Sequence, residues 1–420
     1  FKITFIYLLV FFIPDYLGVF ALIFLLSGKQ TINLNDKSNV RFLTLLPPLY
    51  YITRTIYSLS SYFDNFWMLS GQRVYHGRSR YYDGLWNFEA MACIKNPNIL
   101  DGINKTCREL SAGILDDYIY ITTDPYLTTL IFMAAMHLFI IFIYFDVIKR
   151  FEFNRIYVVI LFVSPAFNFL TFQGNFDVLF LVLGYLTLII FNKNNFFIFL
   201  LFFFLSLYKL HVIGAIFGLI LYFIKLKNKK LIYINLTFFS ISLFFALSEI
   251  LNDKIVSGFG TFEYSYGILN LANLLNRYLQ IGDYLLFFLF ILLVMVMILL
   301  FLRFNQITNI NNKFDDEMFY QVYTFWFLFT LITVNNSYRI PIFFLVLLIY
   351  MESNIKLLRN SSIIFIFLSI IPVTNYEVFI YLLAIVKNIS MTLMIVVILF
   401  IEYIKMQKIL KKVTNFKMLK

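Results

Sequence analysis

The sequence predicts an all-α, polytopic transmembrane protein. Three observations carry that expectation: an apolar composition, long uninterrupted apolar runs, and basic residues gathered in a few short segments. Of the 420 residues, 61% are hydrophobic and only 14% are charged, against ~45–50% and ~25% in a soluble globular domain. Mean hydropathy is +0.83. Apolar runs such as Leu130–Phe145, Leu231–Leu247, Leu285–Leu302 and Met391–Ile401 recur along the chain. A helix crosses the hydrocarbon core with ~20 apolar residues. Lipid offers the backbone no hydrogen bonds, so only helices and closed barrels span it. The runs are continuous and do not alternate, which favours helices over barrel strands. That length rule predicts roughly ten to twelve spans, forming a single transmembrane domain over residues 1–420. Phe1–Ser27 reads as one span or as a hairpin broken at Pro14-Asp15. No small-residue cleavage site of a signal peptide follows it.

The net charge of +11 would suggest nucleic acid in a soluble chain. Here the positive-inside rule explains it, and no nucleic-acid motif accompanies it. Lys225, Lys227, Lys229 and Lys230 make one basic loop; Lys405, Lys408, Lys411, Lys412, Lys417 and Lys420 make the tail basic. Both are expected in the cytoplasm. Working outward, Gly28–Arg41 is cytoplasmic and a span at about Phe42–Tyr62 runs out. Residues 63–125 then form a large extracytoplasmic loop. A span near Leu127–Phe145 returns to Lys149, Arg150 and Arg155. The next outward span ends at Gly174-Asn175, and another outer turn falls at Lys209–His211. Residues 251–283 form a second outer loop, and short outer turns follow at Asn335–Arg339 and Pro372–Glu377. The only two cysteines, Cys93 and Cys107, share the first outer loop; an oxidising compartment would let them pair. With three histidines and no Cys-x-x-Cys, no spacing resembles a metal site.

Charges at the membrane are costly and therefore candidates for function. Asp64 lies where the Phe42–Tyr62 span emerges, in Tyr62-Phe63-Asp64-Asn65-Phe66-Trp67. Its carboxylate can take a proton from a sugar hydroxyl or hold a divalent cation such as Mg or Mn; the plainer reading is an interfacial acid beside an aromatic belt. Asp116 and Asp117 precede the return span and read either as a cation-binding pair or as ordinary loop acids. Asn175 and Asp177 follow Gly174 in a tight hairpin, and Asp177 stands at the start of an apolar run, where the two read as substrate contacts in preference to parts of a simple turn. Lys209 lies between apolar runs, where its compact charge suits a phosphate. Arg277 and Arg339, near outer turns, can grip one with two hydrogen bonds. Lipid-headgroup snorkelling is the alternative for all three cations. His211 reads as a substrate contact or as a helix-end histidine satisfied within the protein. One outer face thus carries acids beside bases, the set needed to move a sugar from a lipid phosphate: a base for the acceptor hydroxyl, cations for the departing phosphate.

In these residues the chain resembles the GT-C superfamily of integral-membrane glycosyltransferases, nearest to bacterial polyprenyl-phosphate-mannose-dependent mannosyltransferases. The likeness rests on Asp64 with Gly71 and Tyr75, on Ser164-Pro165, on Gly174-Asn175-Phe176-Asp177, on Lys209 and on Tyr338-Arg339-Ile340-Pro341. It implies a catalytic acid in the first large outer loop, a lipid-phosphate sugar donor, a glycan or lipid acceptor and inversion at the anomeric carbon. Asp64 would then be the base or the metal-positioning acid; Lys209, Arg277 and Arg339 would be phosphate contacts. Asn65 follows Asp64 where the family carries a second acid, and an extra apolar segment precedes that span. The implied location is a bacterial inner membrane with the site on the periplasmic side. Alternatives are an O-antigen-type polymerase or ligase, whose long outer loop usually comes late, and a transporter or flippase, whose paired halves have no counterpart in this sequence.

Overall fold

A computed structural model describes residues 44–63, 125–151, 153–164, 166–167, 170–171, 177–190, 195–208, 210–251, 265–266, 317–332, 335–368 and 382–401. The described chain is helical apart from a two-residue antiparallel pairing, in which Ser265 faces Asn336 and Tyr266 faces Asn335. Two of its helices are long and apolar enough to cross a membrane, Leu127–Arg150 and Leu382–Ile401. Four shorter apolar helices are Asp177–Ile190, Phe196–Leu207, Ile213–Lys225 and Arg339–Met351. The chain divides into two compact units, Phe1–Lys193 and Asn194–Lys420.

The first unit contains α1 (Leu46–Phe63), α2 (Pro125–Arg150), α3 (Arg155–Phe162) and α4 (Asp177–Ile190). Prolines occupy the start of α1 at Pro47 and Pro48 and open α2 at Pro125; in a first turn the missing N–H has no intrahelical partner to lose. Asn154 caps α3 by accepting a hydrogen bond from the Ile156 amide at 3.0 Å. α1 and α2 run antiparallel. Tyr144 donates to the Thr44 carbonyl at 2.7 Å, and further up α1 Thr55 Oγ1 lies 2.9 Å from His137 Nδ1. Tyr51 ties α1 to α3 through the Phe162 carbonyl at 2.8 Å. α4 meets α2 where Tyr185 donates to Asp146 at 2.7 Å, and Asp146 also pairs with Arg150 one turn on, at 3.0 Å. One face of α2 buries Met133, Met136, Ile140, Ile143, Tyr144 and Val147, while Ile131, Leu138, Phe142 and Phe145 are exposed on another.

The second unit contains α5 (Asn195–Tyr208), a 3₁₀ turn (Leu210–Val212), α6 (Ile213–Lys225), α7 (Lys229–Leu251), β1 (Ser265–Tyr266), α8 (Glu317–Ile332), β2 (Asn335–Asn336), a second 3₁₀ turn (Ser337–Phe343), α9 (Phe344–Met351), α10 (Lys356–Phe367) and α11 (Leu382–Ile401). α6 and α8 form the tightest pair, and two glycines allow it. A Cβ on Gly214 would stand 2.5 Å from the Phe325 carbonyl oxygen; one on Gly218 would stand 2.5 Å from that of Gln321. This Gly-x-x-x-Gly spacing puts both glycines on one helix face, so the backbones touch. Because Gly218 meets Gln321 while Gly214 meets Phe325, the helices are antiparallel. Lys225 pairs with Glu317 at one end.

The basic loop between α6 and α7 is a tight reversal. The Asn228 amide reaches back to the Phe223 carbonyl and the Lys227 amide to that of Ile224, both at 3.1 Å, the pattern that closes a helix with a left-handed residue. Lys227 takes that conformation at φ 58°. Asn228 then caps α7 through the Leu231 amide at 3.3 Å.

Candidate functional site

Asp177 is the first residue of α4 and is fully buried. An acid in a helix's first turn complements the positive end of the helix dipole, which lowers the cost of its burial. At 1.5 Å per residue, the 14 residues of α4 extend for only about 21 Å, short of a ~30 Å hydrocarbon core. The expectation of a charge set at the start of an apolar segment therefore meets a buried carboxylate at the start of a short helix. Asn175, its expected neighbour, lies outside the described residues.

His211 sits in the 3₁₀ turn before α6, and its surroundings come from α8. Trp326 Nε1–H donates to His211 Nδ1 at 2.9 Å, and the two rings lie nearly parallel with centroids 6.1 Å apart. The indole is itself held edge-on by Phe202 at 5.7 Å and by Phe343 at 5.9 Å. Tyr323, one turn back on α8, packs against it at 5.8 Å. His211 is thus engaged within the protein at Nδ1.

Arg339 lies in the Ser337–Phe343 turn, which packs against α8 as the His211 turn does. Pro341 lies inside that turn; lacking an N–H and clashing with the preceding turn, it favours a 3₁₀ segment over an extension of α9. The α6–α8 pair therefore has two unlike ends. Lys225 and Glu317 close one; His211 before α6 and the turn after α8 mark the other. Lys209, Arg277, Asp64, Asp116 and Asp117, together with Cys93 and Cys107, lie outside the described residues. Among the described residues no group of three or more His, Cys, Asp or Glu side chains gathers as a metal site would.

Among the described residues, His137, Lys387 and Asn388 are buried polar groups that the sequence reading did not single out. His137 is 1% exposed in the middle of α2 and meets Thr55 on α1. Lys387 and Asn388 are both fully buried in α11, and Asn388 donates to the Ala384 carbonyl at 2.8 Å. Each is a polar residue interrupting an apolar run, which is the signal that would find it. Half-buried Asp146 was visible as an acid one turn from Arg150, but its tyrosine partner was not. No protein-family model matches this chain, and no curated protein or solved structure matches it either.

Proposed function

We propose that the chain is a polytopic membrane glycosyltransferase of the GT-C type, with roughly ten to twelve spans. It moves a sugar, mannose in the first instance, from a polyprenyl-phosphate donor to a lipid-linked or glycan acceptor. The reaction takes place on the extracytoplasmic face of a bacterial inner membrane. The observation that carries this reading is the polarity of the helix ends. In the second unit the lysines of the α6–α7 loop lie at one end of the α6–α8 pair, and His211 and the Arg339 turn lie at the other. In the first unit Lys149 and Arg150 end α2, and buried Asp177 opens α4 two turns before the Tyr185 that meets Asp146 near that basic end. With the lysines cytoplasmic, Asp177, His211 and Arg339 fall at the outer ends of their helices. The exposed apolar stripe of α2 supports lipid as its solvent, since a contiguous apolar surface in water invites association.

In the proposed reaction, the acceptor hydroxyl oxygen attacks the anomeric carbon while Asp64 takes its proton. The bond from that carbon to the phosphate oxygen breaks, and the electron pair leaves with polyprenyl phosphate. Lys209, Arg277 and Arg339 stabilise the charge that grows on the phosphate. The test is transfer of radiolabel from polyprenyl-phosphate mannose in membranes holding wild type or Asp64→Asn. Transfer by wild type and its loss in the mutant support the reading. Equal transfer by both removes Asp64, and silence with mannose, glucose and arabinose donors alike removes the reaction.

A further inference from the structure

We propose that the α6–α7 reversal is a docking surface for anionic phospholipid of the cytoplasmic leaflet, with Lys227, Lys229 and Lys230 meeting the phosphates and Ile224 and Leu226 the acyl boundary. Residues 224–230 are exposed without a break, the longest such run among the described residues. Charge and apolar surface are interleaved in it: Ile224 is 46% and Leu226 54% exposed, and each stands beside a lysine. Lys225 is already paired with Glu317. Lys227, Lys229 and Lys230 form no ion pair among the described residues. Like charges this close repel one another, and an anion from outside the protein offsets that repulsion.

The backbone holds the lysines in place before any ligand arrives. The hydrogen bonds from the Lys227 amide to Ile224 and from the Asn228 amide to Phe223, both at 3.1 Å, close the reversal. Among the described residues Lys227 is the only non-glycine with a positive φ, at 58°. Glycine takes that conformation without the Cβ penalty that lysine meets, so strain at this exposed turn points to a side chain with a task. A preformed loop also loses little freedom on binding.

Charge complementarity selects a phosphate-bearing partner, and the apolar residues select lipid over a soluble one. A hydrated anion gains nothing from Ile224 and Leu226, whereas acyl chains do. Tyr233, one turn into α7 and 68% exposed, is the kind of aromatic residue that sits at headgroup level. The cytoplasmic leaflet supplies anionic headgroups that attract lysines close to the membrane. The inference rests on the membrane part of the proposed function and is independent of sugar transfer.

The experiment titrates the full chain, delipidated in a neutral detergent, with dioleoylphosphatidylglycerol or dioleoylphosphatidylcholine, and native mass spectrometry counts the bound lipid. Wild type is expected to bind phosphatidylglycerol about tenfold or more tightly than phosphatidylcholine. A lysine near an anionic surface contributes about fivefold in affinity. Lys227→Gln, Lys229→Gln and Lys230→Gln should each lose about that factor for phosphatidylglycerol and leave phosphatidylcholine unchanged. Glutamine keeps the Cβ at position 227, so the backbone cost stays the same. Lys356→Gln, at the exposed start of α10, controls for net charge and should stay within twofold of wild type. Replacing Ile224 and Leu226 together by serine should weaken both lipids. Equal affinity for the two lipids, or an equal loss in Lys356→Gln, overturns the docking site. Full competition by glycerol phosphate, the headgroup without its chains, overturns lipid as the occupant. Recovery of the chain in the soluble fraction without detergent would sink the membrane reading itself, before any lipid is added.

Discussion

At the residue scale, the most consequential group is Asp177, a carboxylate without solvent exposure at the start of a helix rich in leucine and valine. Burial of a charged group costs several kcal/mol unless its surroundings compensate it. Asp177→Asn keeps the shape and removes the charge. With Asp177 as a substrate contact, transfer is predicted to fall about tenfold or more, the range lost with a hydrogen bond to a charged group, at unchanged protein level. Initial rates in membranes matched for expression check this, and rates within twofold of wild type would make Asp177 a packing residue. Lys209→Ala is expected to raise the KM for the lipid-phosphate donor more than that for the acceptor; equal changes would count against a phosphate contact. The place of Asp177 at the head of an apolar run was legible in the sequence; its complete burial was not. His137 was not, although it is as deeply buried. Its partner Thr55 lies 82 residues earlier in the chain, and no local pattern reports a contact of that separation. The indole bonded to His211 was hidden for the same reason, 115 residues away.

At the scale of elements, the α6–α8 pair is held by the absence of side chains. A methyl group at Gly214 would meet the Phe325 carbonyl, the Phe329 Cβ at 2.7 Å and the Trp326 Cα at 2.9 Å. Two of those atoms belong to backbone and cannot swing aside. Gly214→Val and Gly218→Val should therefore force the helices apart and cost ~3 kcal/mol or more, read as a lower melting temperature of the purified protein. A shift of less than a degree or two in both variants would refute the close packing. The α6–α7 reversal predicts the opposite sign. Lys227→Gly relieves a left-handed lysine and is expected to stabilise by about 0.5–1 kcal/mol, and a lower melting temperature would contradict it. Helix positions followed closely from hydropathy: the expected span at Phe42–Tyr62 overlies α1, and the apolar run Leu231–Leu247 lies within α7. The Gly-x-x-x-Gly spacing is present in the sequence as well. Its meaning depends on which helix faces it, and α8 begins almost a hundred residues downstream.

At the scale of the whole molecule, the account rests on a topology with basic ends inside and candidate site residues outside. In a background with Cys93 and Cys107 replaced, Lys227→Cys should react with a membrane-impermeant maleimide only after permeabilisation. Asn335→Cys, at the other end of the second unit, should react in intact cells. Labelling of both from the same side would overturn the topology. Composition together with the continuous, non-alternating apolar runs made the helical class legible, because barrel strands would alternate. The chemistry rests on residue type and order alone, since Asp64, Asp116 and Asp117 lie outside the described residues. The most direct test is sugar transfer by the purified protein in proteoliposomes, supplied with polyprenyl-phosphate mannose or with a nucleotide-linked mannose. The account predicts a labelled glycan or lipid product, with polyprenyl phosphate released, from the lipid-linked donor alone. Transfer from the nucleotide sugar, or from neither donor while the acceptor is present, would contradict it.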